Sequence, residues 1–192
     1  MTNIQIPSGL LDNNVELFSH NGEAMATHEG RVKFLFELPI HILDTIQADL
    51  EDNPSAGLAL ELAGYTSKAE KLNKYTTCRF GSFDTAPDFK DGQLANSEHF
   101  NCGYRGSCPM EGVVCGSILI NGRTISPFEV RMIEMLATER TLLVIAEDLK
   151  ISMNTFETRK KVLYQKLKVL SRPKLVAVAY EKGILTAPAC SA

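Results

Sequence analysis

At 192 residues the chain has room for one or two domains. With 44% hydrophobic and 22% charged residues it has an ordinary globular composition, and no run approaches the roughly 18 apolar residues a membrane span needs. No basic region followed by an apolar core opens the chain, so no secretion signal and no membrane partner are expected, and the expected location is cytoplasmic.

Residues 1–30 carry scattered polar side chains, Gly9, Gly22 and Gly30, and little periodicity. They are expected to be partly flexible, with His20 and His28 on the surface. Residues 31–38 (RVKFLFEL) are apolar enough for a strand or a buried entry segment. Pro39 can open a helix to about Asp52, with Ile42, Leu43, Ile46 and Leu50 on one face; Asn53-Pro54 breaks it. Residues 56–63 predict a second helix stopped by Gly64, and residues 67–75 a third. Residues 1–77 thus read as a helical region whose apolar stripes form a core or a dimer surface.

A cysteine block follows in residues 78–123. Cys78, Cys102, Cys108 and Cys115 are spaced C-x23-C-x5-C-x6-C, among glycines and few aliphatic residues. Such a segment cannot fold around a core of its own and needs a staple. In a cytoplasmic protein, lasting disulfides are disfavoured. Four thiolates can complete a metal site, and the glycines let N–H groups turn toward sulfur. Structural zinc usually shows a tight C-x2-4-C knuckle, which is missing here. Iron–sulfur clusters accept more variable spacing. The expectation is an iron–sulfur cluster or zinc on these four cysteines, with unliganded thiols as the remaining alternative. His99 is a possible substitute ligand, although a lone histidine is more often a surface residue. Cys190, in an Ala/Pro-rich tail (187–192), reads as a stray thiol.

The last element, residues 124–186, has the sharpest signals. Ser126-Pro127-Phe128-Glu129 is a capping box with proline at the first helical position. Val130, Ile133, Leu136 and Ala137 recur at helical spacing. Thr141 can cap a short second helix bearing Leu142, Ile145, Ala146 and Leu149. Lys150-Ile151-Ser152 is a turn, and Ser152 caps a third helix, 153–168, that points Phe156, Leu163 and Leu167 inward. A fourth helix after Ser171 carries Leu175, Val176 and Ala179 and stops at Gly183. Two helices joined by a tight turn are what a helix-turn-helix needs to enter the major groove.

These residues resemble the LuxR/GerE-type helix-turn-helix of bacterial response regulators and quorum sensors. The family's Ser-Pro-x-Glu opening is similar to Ser126 through Glu129, with its alanine at Ala137. Its Glu-Ile-Ala core resembles Val144-Ile145-Ala146 without the glutamate. Its recognition start resembles Ile151-Ser152-Met153-Asn154-Thr155-Phe156, its Lys-Leu-Gly-Val exit Lys166-Leu167-Lys168-Val169, and its following arginine Arg172. Three positions differ: the glycine between the first helices is Glu139, the basic residue after Thr-Val is Glu157, and the usual histidine is Arg159. The resemblance implies DNA contact by Thr141, Ser152, Asn154, Thr155, Thr158, Arg159, Lys160, Lys161, Lys166 and Arg172.

Charge divides the chain in the same place. From Thr124 onward eleven Lys+Arg face seven Asp+Glu, whereas residues 1–123 hold nine against sixteen. Basic side chains that neutralise phosphates supply non-specific DNA affinity. The fold expected is mainly α, a four-helix helix-turn-helix domain preceded by a helical part and a Gly/Cys-rich loop module. The function expected is a transcriptional regulator that binds double-stranded DNA as a homodimer, with RNA polymerase a further partner and the cysteine site a brace or redox sensor. The other class is a protein-interaction adaptor that uses the same fold without reading DNA. No phosphate loop or nucleophile signature is present, so no enzyme is expected.

Overall fold

The computed structural model describes residues 6–100, 102–105, 107–116, 118–182 and 184–185. The chain forms two compact units, residues 1–116 and 117–192. The helix stop at Gly183, Cys190 and the tail lie outside the described residues. No described helix is long and apolar enough to cross a membrane.

The first unit opens with a three-stranded antiparallel sheet in the order β1 (Glu16–His20), β2 (Glu23–His28), β3 (Arg31–Phe34). The mainly α expectation therefore holds only in part: helices dominate, but small sheets stand beside them, and β1 and β2 occupy residues read as partly flexible. Both hairpins turn on two residues with positive φ, Asn21-Gly22 (52°, 85°) and Glu29-Gly30 (52°, 74°). Such paired left-handed residues match the twist of the flanking strands. The burial pattern of β2 explains why alternation was hard to see: Ala26, Thr27 and His28 are all buried. His28, expected on the surface, is buried with its ring 3.2 Å from Lys33 Nζ; His20 is exposed.

Three helices follow, α1 (Ile40–Glu51), α2 (Pro54–Leu62) and α3 (Lys68–Arg79); α3 packs on β1 and β2, and α1 and α2 pack against α3. Asn53 caps α2 through the Ala56 N–H, and Ser67 and Glu70 form a capping box on α3. The expected apolar face of α1 is the buried one, with Ile42, Ile46 and Leu50 inward. α3 runs four residues beyond its predicted end and carries Cys78 in its last turn. Its Asn73 side chain accepts the Ala24 N–H at 2.9 Å, which ties the helix to β2. The 82–116 stretch adds one small hairpin, β4 (Phe89–Lys90) with β5 (Gln93–Leu94), and then turns. It shares the core of the sheet and helices through Phe89, Met110 and Val114.

The second unit begins with a hairpin, β6 (Ile118–Ile120) and β7 (Arg123–Ile125), around Asn121-Gly122. Four helices follow: α4 (Pro127–Leu136), α5 (Leu142–Asp148), α6 (Met153–Leu167) and α7 (Arg172–Glu181). Their predicted caps Ser126, Thr141, Ser152 and Ser171 all accept backbone N–H groups. Phe156, Leu163 and Leu167 are buried in one core with Ile133, Leu136 and Ile145.

Buried carboxyls gather where β1 meets the 82–98 segment. Glu16 is fully buried; its Oε1 accepts the Asp84 N–H at 2.7 Å, and Oε2 has no hydrogen-bond partner. Asp88 Oδ2 accepts the Leu17 N–H at 2.9 Å, and Glu98 Oε1 the Ser82 N–H at 2.5 Å. Burial pushes Glu16 up to about 8, Asp88 to about 9 and Glu98 to about 7, and the neighbouring acids push each further the same way. These groups hold protons more tightly folded than unfolded. Their contribution is complete below an ordinary carboxyl pKa of about 4 and is lost as pH climbs through their folded values. Urea unfolding of the first unit should therefore show stability falling from about pH 5 to pH 9, and Glu16→Gln should remove on the order of 2 kcal/mol of that loss.

Candidate functional site

The α6 helix of the second unit presents two opposed faces. Phe156, Leu163 and Leu167 point into the core, so the residues half a turn away point out. These are Asn154, Thr158, Lys161 and Gln165, flanked by Thr155 and Val162, all exposed. Ser152 Oγ accepts the Thr155 N–H at 3.2 Å and also meets Thr155 Oγ1 at 2.9 Å, which fixes the first turn. Thr158 Oγ1 donates to the Asn154 carbonyl at 2.9 Å. The turn before α6 places Lys150 at φ 55°, and the Ile151 N–H closes back onto the Ala146 carbonyl at 3.1 Å. That is a C-terminal motif usually made with glycine. Lys168, at the position where the family resemblance puts glycine, takes φ 56° in the same way.

The basic residues named from sequence fall into distinct environments. Lys161 is exposed and has no ion-pair partner among the described residues. Arg159 is exposed, with its guanidinium carbon 4.3 Å from the centre of the Phe128 ring. Lys160 pairs with Glu157 at 2.7 Å along the same helix. This pairing partly neutralises the acid that stands where the family has a base. Lys166 bonds both Glu129 oxygens, at 2.7 and 2.8 Å, and the Thr124 carbonyl at 2.9 Å. It also draws Glu129 below the usual carboxylate range despite burial. Arg172 donates to the carbonyls of Leu136, Thr138 and Arg140 at the end of α4. Lys166 and Arg172 thus brace the domain from within. Thr141 is exposed at the α5 cap, away from the outward stripe of α6 in sequence and in role. Sequence reasoning missed Val162 and Gln165, which extend the stripe; their spacing from Thr158 by four and seven residues was the available signal.

In the first unit the four cysteines form no disulfide. Cys78, Cys102 and Cys108 line one cleft of about 530 Å³ with Lys74, Phe100 and Tyr104. Cys102 is exposed and the other three are half-buried. Burial pushes the Cys78 thiol up to about 11; Lys74 opposes this, and Cys115, Cys108 and Cys102 add to it. Cys115 Sγ accepts the Gly112 N–H at 3.3 Å and Arg105 Nη1 at 3.5 Å. Gly112 needs its positive φ of 77° for that turn. Gly81 leaves room for the Phe100 ring, which lies where a side chain would begin. His99 is buried, not on the surface as a lone histidine usually is. Its Nδ1 has no hydrogen-bond partner, and burial with the nearby Arg105 charge lowers it to about 4. No three His, Cys, Asp or Glu side chains among the described residues are grouped to hold a single metal ion. The sequence did not single out Arg105 or the Gly112 N–H.

Removing the Arg172 brace should loosen the domain without DNA present. Arg172→Ala leaves three carbonyls of the α4 end without their donor and should lower the second unit's stability by about 1–3 kcal/mol in thermal unfolding.

Comparison with known proteins fits the second unit's geometry. No curated protein and no solved structure gives a significant match. Residues 123–179 match the family described as bacterial regulatory proteins, luxR family, also called GerE. The match begins at the first residue of β7 and runs into α7, so it takes in all of α4, α5 and α6. This is a regulatory DNA-binding family, and residues 123–179 are therefore a LuxR-type helix-turn-helix domain at the C-terminal end of this chain.

Proposed function

We propose that the chain is a transcriptional regulator that reads double-stranded DNA with α6 and carries an iron–sulfur cluster on Cys78, Cys102, Cys108 and Cys115. The carrying observation for DNA is the outward stripe of α6. Asn154, Thr155, Thr158 and Gln165 offer hydrogen-bond groups to base edges. Val162 offers an apolar contact of the kind that meets a thymine methyl. Lys161, exposed and without an ion-pair partner among the described residues, offers a cation to a phosphate. Arg159, stacked on Phe128, enters the groove edge with its fork held in place. Lys166 and Arg172 act by holding the helix, not by touching DNA. A homodimer would set two such helices on two half-sites, and contact with RNA polymerase would couple occupancy to transcription.

The cysteine assignment is supported by three thiols on one cleft and by the donors on Cys115. A single zinc draws its sulfurs to on the order of 4 Å of one another; a four-iron cluster spreads them to roughly 6–7 Å. When bound, a cluster supplies one-electron chemistry and a sensitivity to oxidants. Cys78 would hold it to α3, and exposed Cys102 would face the solvent. Loss or oxidation of the cluster is the signal, and DNA occupancy is the output.

Two measurements test the two halves. In a salt-titrated DNA-binding assay, Lys161→Ala should flatten the slope of log K against log salt by about one. Lys166→Met should leave that slope unchanged. Absence of any salt-dependent DNA affinity would return the domain to the adaptor reading. Anaerobically purified protein should be brown and contain iron and acid-labile sulfide, and Cys78→Ser should lose both. Zinc at one per chain, with no sulfide, would overturn the cluster.

A further inference from the structure

We propose that the exposed apolar strip formed by Val32, Phe34, Phe36 and Ile40 is the surface through which two copies of this chain join; this names the interface of the homodimer in the reading above and rests on that reading. The four side chains fall within nine residues and stand 58%, 55%, 51% and 70% exposed. Buried Leu35 and Leu38 lie between them and anchor the strip to the core of the first unit. Val32 and Phe34 alternate along β3 and so share one face of the sheet. Thr27 and Met25, directly opposite them on β2, share that face. Toward β1 the same face is closed. Thr27 is buried with its Oγ1 donating to the Ser8 carbonyl, Glu16 accepts the Asp84 N–H, and the Phe18 ring lies 4.7 Å from that of Phe83. The cover stops at Val32 and Phe34.

The edge of β3 is not built to receive another strand. It is the outermost strand of three, but it is four residues long, and its Phe34 N–H is already held by Glu37 Oε2 at 2.7 Å. Short, blocked edges resist strand addition. The partner therefore packs on side chains and does not extend the ladder.

Area and charge identify that partner as a second copy. Phe34 and Phe36 each have roughly 150–250 Å² to bury and Val32 and Ile40 somewhat less, so with more than half of it open the strip offers about 400 Å². A homodimer face of roughly 800 Å², some 65% of it apolar, asks for about 500 Å² from each chain. Half-buried Met25, beside Phe34, adds to the strip. Arg31 stands at one end of it and Glu37 at the other, both exposed. A two-fold axis through the strip sets the copies antiparallel, so each Arg31 meets the other copy's Glu37 and one surface serves both chains. Lys33, on the opposite face of β3, pairs with Glu29 at 2.8 Å within its own chain.

The test is sedimentation velocity of the full chain over a concentration series. Wild type should run as a dimer. Phe34→Glu should raise the dimer Kd about thirtyfold or more, the size of a central hot spot. Phe36→Ser, outside the strand, should act in the same direction and serves as the measurement if Phe34→Glu does not fold. Leu143→Ser, which removes an equally exposed apolar side chain from the second unit, should leave the Kd unchanged. A wild-type dimer that both strip variants leave intact, or that Leu143→Ser weakens as much as they do, overturns this inference alone. A wild-type chain that stays monomeric at every concentration overturns the homodimer reading and this inference with it.

Discussion

The docking of α3 on α1 and on the first hairpin is the contact on which the N-terminal unit turns. Tyr75 is fully buried, and its hydroxyl donates to Asp49 Oδ2 at 2.6 Å. Arg79, one turn later, reaches the same carboxylate at 3.3 Å and lies 5.0 Å from the Tyr75 ring centre. Asn73 holds the Ala24 N–H from the other side. These contacts fix the helix end that carries Cys78. The glycine-rich segment has little apolar surface of its own, so it borrows this floor: Phe80, Met110 and Val114 enter the same core. The cysteines are ordered by what lies beneath them.

The C-terminal domain solves a different problem. Its α6 helix is firmly seated on one side and free on the other. Apolar burial supplies the seat, and the charged groups divide between two tasks. Lys166 and Arg172 are drawn inward to Glu129 and to the open carbonyls of α4. Lys161 and Arg159 stay outward. Family resemblance alone could not make that division, because both kinds of residue occupy matching positions in a motif.

The domain's helices were legible because each announces itself with a cap: Ser126, Thr141, Ser152 and Ser171 each accept an N–H as their spacing implied. The hairpins carried a signal too, but it was not the hydrophobic pattern. Asn21-Gly22, Asp91-Gly92 and Asn121-Gly122 are dipeptides that favour a tight hairpin, and each sits at one. Period-two alternation failed as a guide because β2 buries consecutive residues. In the cysteine block the four thiols and their spacing could be read from the sequence. The donors around them could not, because the Arg105 and Gly112 contacts depend on a run of turns with no periodic signature. The burial of Glu16, His28 and His99 was likewise invisible, since each is a residue type that ordinarily faces water.

The tight turns also order events in time. Two-residue hairpins join neighbours in sequence and close within about 1–10 μs. The contacts that seat the cysteine segment are of another kind: Leu17 to Asp88 and Val15 to Phe89 join residues more than seventy positions apart. Loop closure over such distances carries more entropy and comes later. The β1–β3 sheet therefore stands early, and the strip bearing Cys102, Cys108 and Cys115 lies down on it last. A nascent chain of this design keeps Cys102, Cys108 and Cys115 open to solvent until late in its assembly.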